Sequence, residues 1–299
     1  MSKLLSVIIP TYNRKDYLYK TLSSFNNQTY KPFEVVIVDD GSDFNLNAEI
    51  YNLELNYPVY YYYIKKKGRA GARNFGINNS KGEIILFFDD HSQPHPGLLD
   101  EHVKNHTKYP RYGGFRGRIE YISEHLDEVK YVKPGFFKSL YNLIYGSSPI
   151  VNFGTHNLSI KRSILNKTGL FDEAFNLYGA EDQEFGIRIK KAGYKIGYIP
   201  RALAFNIRIE KSIEEMLKRA IESGKMAAIL IKKHPEYKSR LGINLFNRVR
   251  FYNNKNMEIY RLFKEGSESY DNSQIKSFKK LKFILYYFSL LEHLGVDVC

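Results

Sequence analysis

Lys81-Gly82-Glu83-Ile84-Ile85-Leu86-Phe87-Phe88-Asp89-Asp90-His91 is the stretch that decides the fold class of this chain. Five apolar residues in a row, β-branched and aromatic in character, predict a strand buried on both faces. The run stops at two carboxylates and an imidazole. The same pattern recurs twice towards the N-terminus. Residues 6–10 form a short apolar run followed by Thr11-Tyr12-Asn13, and residues 33–38 run into Asp39-Asp40-Gly41-Ser42. A further run, 59–64, is built largely of tyrosines. Between the runs lie stretches with helical spacing: 15–28, with Tyr17, Leu18, Leu22 and Phe25 on one side, and 70–79. Apolar runs alternating with amphipathic helices predict an α/β fold with a mainly parallel central sheet flanked by helices. Ligands of such sheets bind beyond the carboxyl ends of the strands. Three strand ends are therefore expected to deliver polar groups, many of them carboxylates, to one edge.

Further along, residues 100–149 are aromatic and carry several glycines, and they read as short strands with a flexible loop. Residues 153–163 lead to Gly169-Leu170-Phe171-Asp172 and then to Tyr178-Gly179-Ala180-Glu181-Asp182. A helix is expected over 184–192, stopped by Gly193, and a strand over 194–200. From about Lys211 the pattern changes to three helical stretches, 212–233, 241–263 and 274–294. The expected organisation is an α/β domain over 1–210 with a helical, basic and aromatic C-terminal extension over 211–299.

The 299 residues carry a formal net charge of +13, which favours anionic partners such as phosphates, nucleic acid or a lipid surface, or simply a solvated basic surface. Hydrophobic residues make up 43%, enough for a sizeable core. No window approaches the ~18 apolar residues of a membrane span, so no transmembrane helix is expected. The first apolar run stops at Pro10 with no small-residue cleavage site after it, and it reads as a strand and not as a signal peptide. The single cysteine, Cys299, excludes an internal disulfide, and a cytoplasmic location follows as the expectation. Residues 68–74 lack the glycine spacing of a dinucleotide fingerprint, no Gly-Lys-Ser/Thr loop occurs, and no nucleophile elbow is present.

Six segments, in order and with fitting spacing, carry a family resemblance. They are residues 6–14 (SVIIPTYNR), 35–42 (VVIVDDGS), 71–77 (GARNFGI), 81–91 (KGEIILFFDDH), 169–175 (GLFDEAF) and 179–185 (GAEDQEF). Together they resemble the family-2 glycosyltransferases with the A-type nucleotide-sugar fold, over about residues 4–206. The resemblance implies an inverting, metal-dependent transfer of sugar from a UDP-sugar or similar nucleotide sugar to an acceptor hydroxyl, in cell-surface glycan or glycoconjugate synthesis. It implies that Pro10, Thr11 and Tyr12 line the base pocket, that Asp40 accepts a hydrogen bond from the base, with Asp39 sharing that task, and that Arg69 meets the base or the diphosphate. Taken alone, Asp40-Gly41-Ser42 reads equally well as a turn.

Asp89-Asp90-His91 stands at the position of the family's metal motif, usually Asp-x-Asp. The resemblance makes Asp89 and His91 metal ligands and Asp90 a donor-binding residue. The third position is imidazole here, as in the polypeptide N-acetylgalactosaminyltransferases, which favours Mn2+, with Mg2+ the alternative. The usual histidine after the last strand is replaced by Asn206, a poorer ligand. His156 is a candidate substitute or an ordinary loop residue. Glu181-Asp182 matches the catalytic acid pair, with Asp182 as general base and Glu181 binding acceptor or orienting the loop; acidic residues at a helix start also suit the dipole.

The extension beyond residue 210 holds 17 Lys and Arg against 10 Asp and Glu. Phe278, Leu281, Phe283, Ile284, Leu285, Tyr287, Phe288, Leu290 and Leu291 form a dense apolar set among Lys276, Lys279, Lys280 and Lys282. Such a helix suits packing within the protein or against a second copy, or lying on an anionic membrane, which would make the protein peripheral on the inner face. The acceptor is open: glycan, lipid-linked or peptide. Two other functions compete. A sugar nucleotidyltransferase would need a glycine-rich phosphate loop near Pro10, which is missing. A non-catalytic binder of nucleic acid or membrane surfaces would account for the charge and the 25 tyrosines, but not for carboxylates at strand ends.

Overall fold

The apolar runs become the centre of an eight-stranded sheet in the computed structural model, which describes residues 3–123, 153–209, 212–241, 254–264 and 278–296. The elements of its first part are β1 (Leu5–Thr11), α1 (Lys15–Phe25), β2 (Phe33–Asp39), α2 (Asn47–Tyr51), β3 (Val59–Tyr63), α3 (Gly68–Asn78) and β4 (Ile84–Phe88). There follow β5 (Ser92–Pro94), α4 (Leu98–Lys108), β6 (Tyr112–Ser123), β7 (Asn157–Lys161), α5 (Arg162–Thr168), α6 (Glu181–Lys191) and β8 (Lys195–Arg208). The strand order is β3-β2-β1-β4-β7-β6-β8-β5. The first four strands are mutually parallel. β7 then enters antiparallel to β4 and to β6, β8 runs parallel to β6, and β5 closes the edge antiparallel to β8. The sheet is thus mixed, parallel on one side and largely antiparallel on the other.

The central strands are buried on both faces because helices cover both. Side chains alternate along a strand, and the core divides accordingly. Val7, Ile9, Val35, Ile37, Leu86 and Phe88 pack with Leu18, Leu22 and Phe25 of α1 and with Leu98 and Leu99 of α4. Ile8, Val36, Val38, Ile85 and Phe87 pack on the other face, with Ala70, Ala72 and Ile77 of α3, Ile164 and Leu165 of α5, and Phe185 and Ile189 of α6. Each buried Val, Leu, Ile or Phe side chain contributes about 1.5–3 kcal/mol by leaving water. α3 lies close to the sheet because Gly76 faces Ile8 and Val38; a Cβ there would meet the Ile8 methyl.

Registers fix which residues share the functional edge. Thr11 stands opposite Asp39, and Asp39 opposite Tyr63. Phe88, the last residue of β4, stands opposite Asn157, the first of β7. The antiparallel strand therefore brings its beginning to the edge where the parallel strands end.

The segment expected to be irregular, residues 100–149, is regular as far as it is described: most of α4 and all of β6 fall before residue 124. Residues 124–149 lie outside the described residues. Beneath β7 sits a buried polar group. Asn157 Nδ2 donates to the carbonyls of Arg118 and Ala202, so its Oδ1 faces His102 Nε2 at 2.9 Å. His102 must then donate from Nε2 and accept at Nδ1 from Ser159 Oγ, at 2.8 Å. Ser159 Oγ in turn accepts from His106 Nε2, also at 2.8 Å. His106 Nδ1 is left buried without a hydrogen bond among the described residues. Burial lowers His102 to a pKa of about 4. His106 falls to about 3, again mainly through burial, with its interaction with His102 and the charge of Lys161 adding to the effect.

The chain divides into two compact units, one of Met1–Asn176 with Asp182–Ile209 and one of Leu177–Glu181 with Glu210–Cys299. The second holds α7 (Ile213–Lys233), a 3-10 turn (Pro235–Leu241), α8 (Asn254–Lys264) and α9 (Phe278–His293). Ser212 caps α7 by accepting from Glu215 N–H, as a serine at that position should. Leu281, Ile284, Leu285, Tyr287, Phe288 and Leu291 of α9 are buried with Leu217 and Ala220 of α7 and Tyr260 of α8. Ser289 Oγ donates to the Ile221 carbonyl, and a Cβ on Gly224 would strike the Tyr286 carbonyl, so α7 and α9 lie close together. These apolar side chains of α9 are thus used in packing. Lys276, residues 242–253 of the second expected helix and residues 274–277 of the third lie outside the described residues. Among the described residues no helix is long and apolar enough to cross a membrane.

Candidate active site

The turn after β2 is built by two adjacent carboxylates with separate duties. Asp39 is fully buried; it accepts from Ser42 N–H at 2.8 Å and from the Tyr61 hydroxyl at 2.8 Å. Gly41, at φ +85°, makes the turn that brings Ser42 back to it. Asp40 accepts the backbone N–H groups of Lys67 and Gly68, at 2.6 and 2.9 Å, and so holds the start of α3. Burial raises the Asp40 pKa, against the opposing effect of those two N–H groups and of Lys66.

Residues 12–14 face this turn across a bridge of reciprocal bonds. Asn13, itself at φ 52°, donates from its backbone to Ser42 Oγ and from Nδ2 to Asp43, while its Oδ1 accepts from Asp43 N–H. Tyr12 is exposed, with Lys66 Nζ 3.9 Å from the centre of its ring. Tyr63 is exposed beside the same turn, its hydroxyl donating to the Ser42 carbonyl. Flat aromatic faces and a lysine beside a turn suit a nucleobase with an adjoining phosphate. Arg69 is exposed at the start of α3, Pro10 is half-buried, and Thr11 is buried with its hydroxyl committed to Asp90 at 2.9 Å.

Asp89, Asp90 and His91, consecutive in sequence, differ in their commitments. Asp90 is buried. Its Oδ2 accepts from Thr11, its Oδ1 accepts from Arg14 at 3.0 Å and lies 3.0 Å from His91 Nδ1. Burial by itself would raise the Asp90 pKa, but the His91 contact, the Arg14 charge and the Thr11 bond hold it below the ordinary carboxylate value. Asp89 is half-buried, and among the described residues neither its carboxylate nor His91 Nε2 has a hydrogen-bond partner. A carboxylate and an imidazole nitrogen two residues apart in sequence, each without a hydrogen-bond partner among the described residues, are donor types that suit a divalent cation. Among the described residues no three His, Cys, Asp or Glu converge on one point. Asn206 is buried and donates from its amide to Ser92 Oγ at 2.9 Å. His156 feels the charges of Asp89, Arg116, Arg73 and His91, and burial lowers its pKa below the ordinary imidazole value.

Asp182 opens α6 beside Glu181, which is buried. Its carboxylate is held by Thr155, from the backbone N–H at 3.1 Å and from Oγ1 at 3.1 and 3.2 Å, and by Arg73 at 3.3 Å. Thr155 stands two residues before Asn157, which pairs with Phe88. Asp182 is thereby tied to the strand next to the one that carries Asp89. Asn74 accepts from Phe171 N–H and donates to the Phe171 carbonyl and to Glu173, so the segments at 71–77 and 169–175 are joined directly. Sequence reasoning assigns no role to Arg14, Arg73 or Thr155. The first two lie inside the motif segments 6–14 and 71–77, which is a signal that could have found them; Thr155 carries none.

The Glycosyl transferase family 2 model matches residues 6–169. An uncharacterized glycosyltransferase of Bacillus subtilis, YfnE, is 29% identical over 237 residues, covering 63% of this chain and 60% of the relative. The hyaluronan synthase of Pasteurella multocida is 28% identical, over 68% of this chain and 24% of the synthase. A dolichyl N-acetyl-α-D-glucosaminyl phosphate 3-β-D-2,3-diacetamido-2,3-dideoxy-β-D-glucuronosyltransferase of Methanococcus voltae is 26% identical, over 77% of this chain and 74% of the relative. The chain thus spans less than two thirds of the first two of these relatives. Among solved structures, a mannosyltransferase of Pyrobaculum calidifontis in complex with GDP-Man and Mn2+ aligns with a TM-score of 0.64 at 17% identity, covering 97% of this chain and 86% of the other. That likeness establishes a shared fold.

Proposed function

The chain belongs to glycosyl transferase family 2, and on that premise we propose that it moves a sugar from a nucleotide-diphosphate donor, foremost a UDP-sugar, to an acceptor hydroxyl with inversion at the anomeric carbon. One observation carries the reading: the Asp89 carboxylate and His91 Nε2, free of partners among the described residues, share a sheet edge with Asp182, which Thr155 and Arg73 hold from the neighbouring strand and helix. Tyr12, Tyr63 and the turn at Asp40 receive the base, and Arg69 and Lys66 face the diphosphate. Asp89 and His91 would hold a divalent cation, Mn2+ in preference to Mg2+, which would supply positive charge to the diphosphate leaving group. Asp182 takes the proton of the acceptor hydroxyl while that oxygen attacks the anomeric carbon from the face opposite the departing diphosphate. A single displacement inverts the centre.

Donor binding falls to residues 1–210. The helices beyond are assigned to acceptor access or assembly; the name of the hyaluronan synthase supports a glycan acceptor, and that of the Methanococcus transferase a sugar carried on a lipid-linked phosphate. The mannosyltransferase complex with GDP-Man supports a nucleotide-sugar donor and makes guanine the competing base. Calorimetry with UDP, GDP, ADP and UMP, each with and without Mn2+, tests the proposal. UDP should bind more tightly than UMP or ADP, and Mn2+ should strengthen it. A preference for GDP would change the base and keep the rest. Equal affinity for all four with no effect of Mn2+ would overturn the reading.

A further inference from the structure

Resting on the donor and metal reading above, we infer that Asp90 is a positioning residue: its carboxylate fixes the His91 ring with the proton on Nδ1, so that the Nε2 lone pair is presented to the cation. The motif matched from sequence made Asp90 a donor-binding group. Its surroundings leave little capacity for that. It is 3% exposed, Oδ2 already accepts from Thr11, and Oδ1 already accepts from Arg14 and faces His91.

The direction of the His91 contact follows from what each group can do. An ionised carboxylate only accepts, so at 3.0 Å from Asp90 Oδ1 the Nδ1 atom must carry hydrogen. The opposite tautomer would set two lone pairs against each other at that distance. Its one gain would be a long contact with the Arg14 guanidinium, 3.5 Å away. The shorter contact decides, and Arg14 and His91 share Oδ1 as acceptor. The backbone leaves the ring few alternatives. The His91 carbonyl accepts from Ile207 N–H on β8 at 2.9 Å, the Asp89 carbonyl accepts from Ser92 N–H at 3.3 Å, and the Asp90 carbonyl accepts from Thr21 Oγ1 of α1 at 2.9 Å. With the main chain held from three sides, the ring's orientation rests on its side-chain torsions, and Asp90 sets those. Carboxylates that hold the far nitrogen of a ligating imidazole fix its tautomer and strengthen it as a ligand, and their loss typically lowers metal affinity about 10–100-fold. This arrangement makes an imidazole a workable replacement for the usual carboxylate at the third motif position.

Two measurements on the whole chain test the inference. The first needs neither metal nor nucleotide: 15N NMR of the histidine side chains, with His91 assigned by its absence in His91→Ala. His91 should be protonated on Nδ1, and Asp90→Asn should weaken or abolish that signature. The second is Mn2+ affinity by electron paramagnetic resonance in a double-mutant cycle. Asp90→Asn should weaken Mn2+ binding roughly 10-fold when His91 is present. In the His91→Ala background the same substitution should change it little. Thermal melts accompany each variant, and Asn is chosen because it keeps the shape of Asp. An Nε2-protonated ring, or an equal loss of Mn2+ affinity in both backgrounds, overturns the inference while leaving the metal reading standing. A wild-type chain that binds no Mn2+ overturns the metal reading, and with it the purpose assigned to Asp90.

Discussion

The two sides of the sheet present opposite ends of their strands to one edge. On the parallel side, β1, β2 and β4 arrive with their C-terminal ends, carrying Tyr12, Asp40, Asp89 and His91. On the antiparallel side β7 arrives with its beginning, preceded by Thr155 and His156. The parallel ends hold the groups assigned to the donor, and the antiparallel start holds the group that fixes Asp182. Asp182, proposed above as the general base, is held by Thr155 from that start and by Arg73 from α3, and it is itself none of the residues proposed to meet the base, diphosphate or cation. The comparison therefore separates chemistry from binding, and substitution can probe each side in turn.

The largest expected effect is on Asp182. Asp182→Asn keeps the bonds from Thr155 N–H in outline but cannot accept the acceptor proton. Transfer should fall by roughly 10²–10⁴-fold, while UDP affinity measured by calorimetry stays close to wild type. A variant with near-normal turnover would remove Asp182 from the mechanism, and one that loses UDP binding would dissolve the separation between the two sides.

Next in size is an acid sensitivity confined to the antiparallel side. His102 and His106 have folded pKa values of about 4 and about 3, against an ordinary 6.5. As pH falls, the unfolded chain takes up these protons first. The stability contributed by the neutral pair is complete above about pH 6.5; the loss continues down to about pH 4 for His102 and about 3 for His106. Urea melts at pH 7, 5.5 and 4.5 should show stability falling by several kcal/mol across that window. His106→Leu removes one of the titrating groups and should flatten the slope. Equal slopes for the variant and wild type would place the acid sensitivity elsewhere.

The smallest effect belongs to Thr155. Thr155→Val deletes the hydroxyl that touches both Asp182 oxygens and keeps the backbone N–H bond. A lost hydrogen bond to a charged group costs about 1.5 kcal/mol at the low end, so kcat should drop about tenfold with KM for the donor unchanged. A change in donor KM instead would mean that the antiparallel start also serves the donor.

The same contrast explains what was legible in the sequence. β1, β2 and β4 are apolar on both faces, so hydrophobicity alone marked them and their terminal polar residues. β7 reads Asn157-Leu158-Ser159-Ile160-Lys161, and Asn157 and Ser159 are buried polar residues that meet His102 and Ser159's second partner, His106. α4 was hidden for the same reason, because histidines occupy its inward positions at 102 and 106 where periodicity looks for apolar residues. β6 resembled a loop because of its glycines. Yet a Cβ on Gly114 would strike the Ser159 carbonyl, and one on Gly117 would strike Asn157 and the Ala202 carbonyl, so these glycines permit close strand approach. Among the candidate site residues, Asp89, His91 and Asp182 are proposed from the motif segments. Motif matching alone did not reveal that Asp90 faces inward, nor that Asp39 is spent on its turn, because both depend on partners far away in the chain.

Asp40 has a consequence for how this protein can change over generations. Its carboxylate receives the first N–H groups of α3, and the helix it starts also supplies Arg73 to Asp182. A residue with that duty cannot be exchanged to suit a new nucleobase without unsettling the helix behind it. Tyr12 and Lys66 are exposed and anchor no helix. Shifts in donor preference among descendants of this sequence should therefore accumulate at positions 12 and 66, with Asp40 retained as a fixed point around which the preference is rewritten.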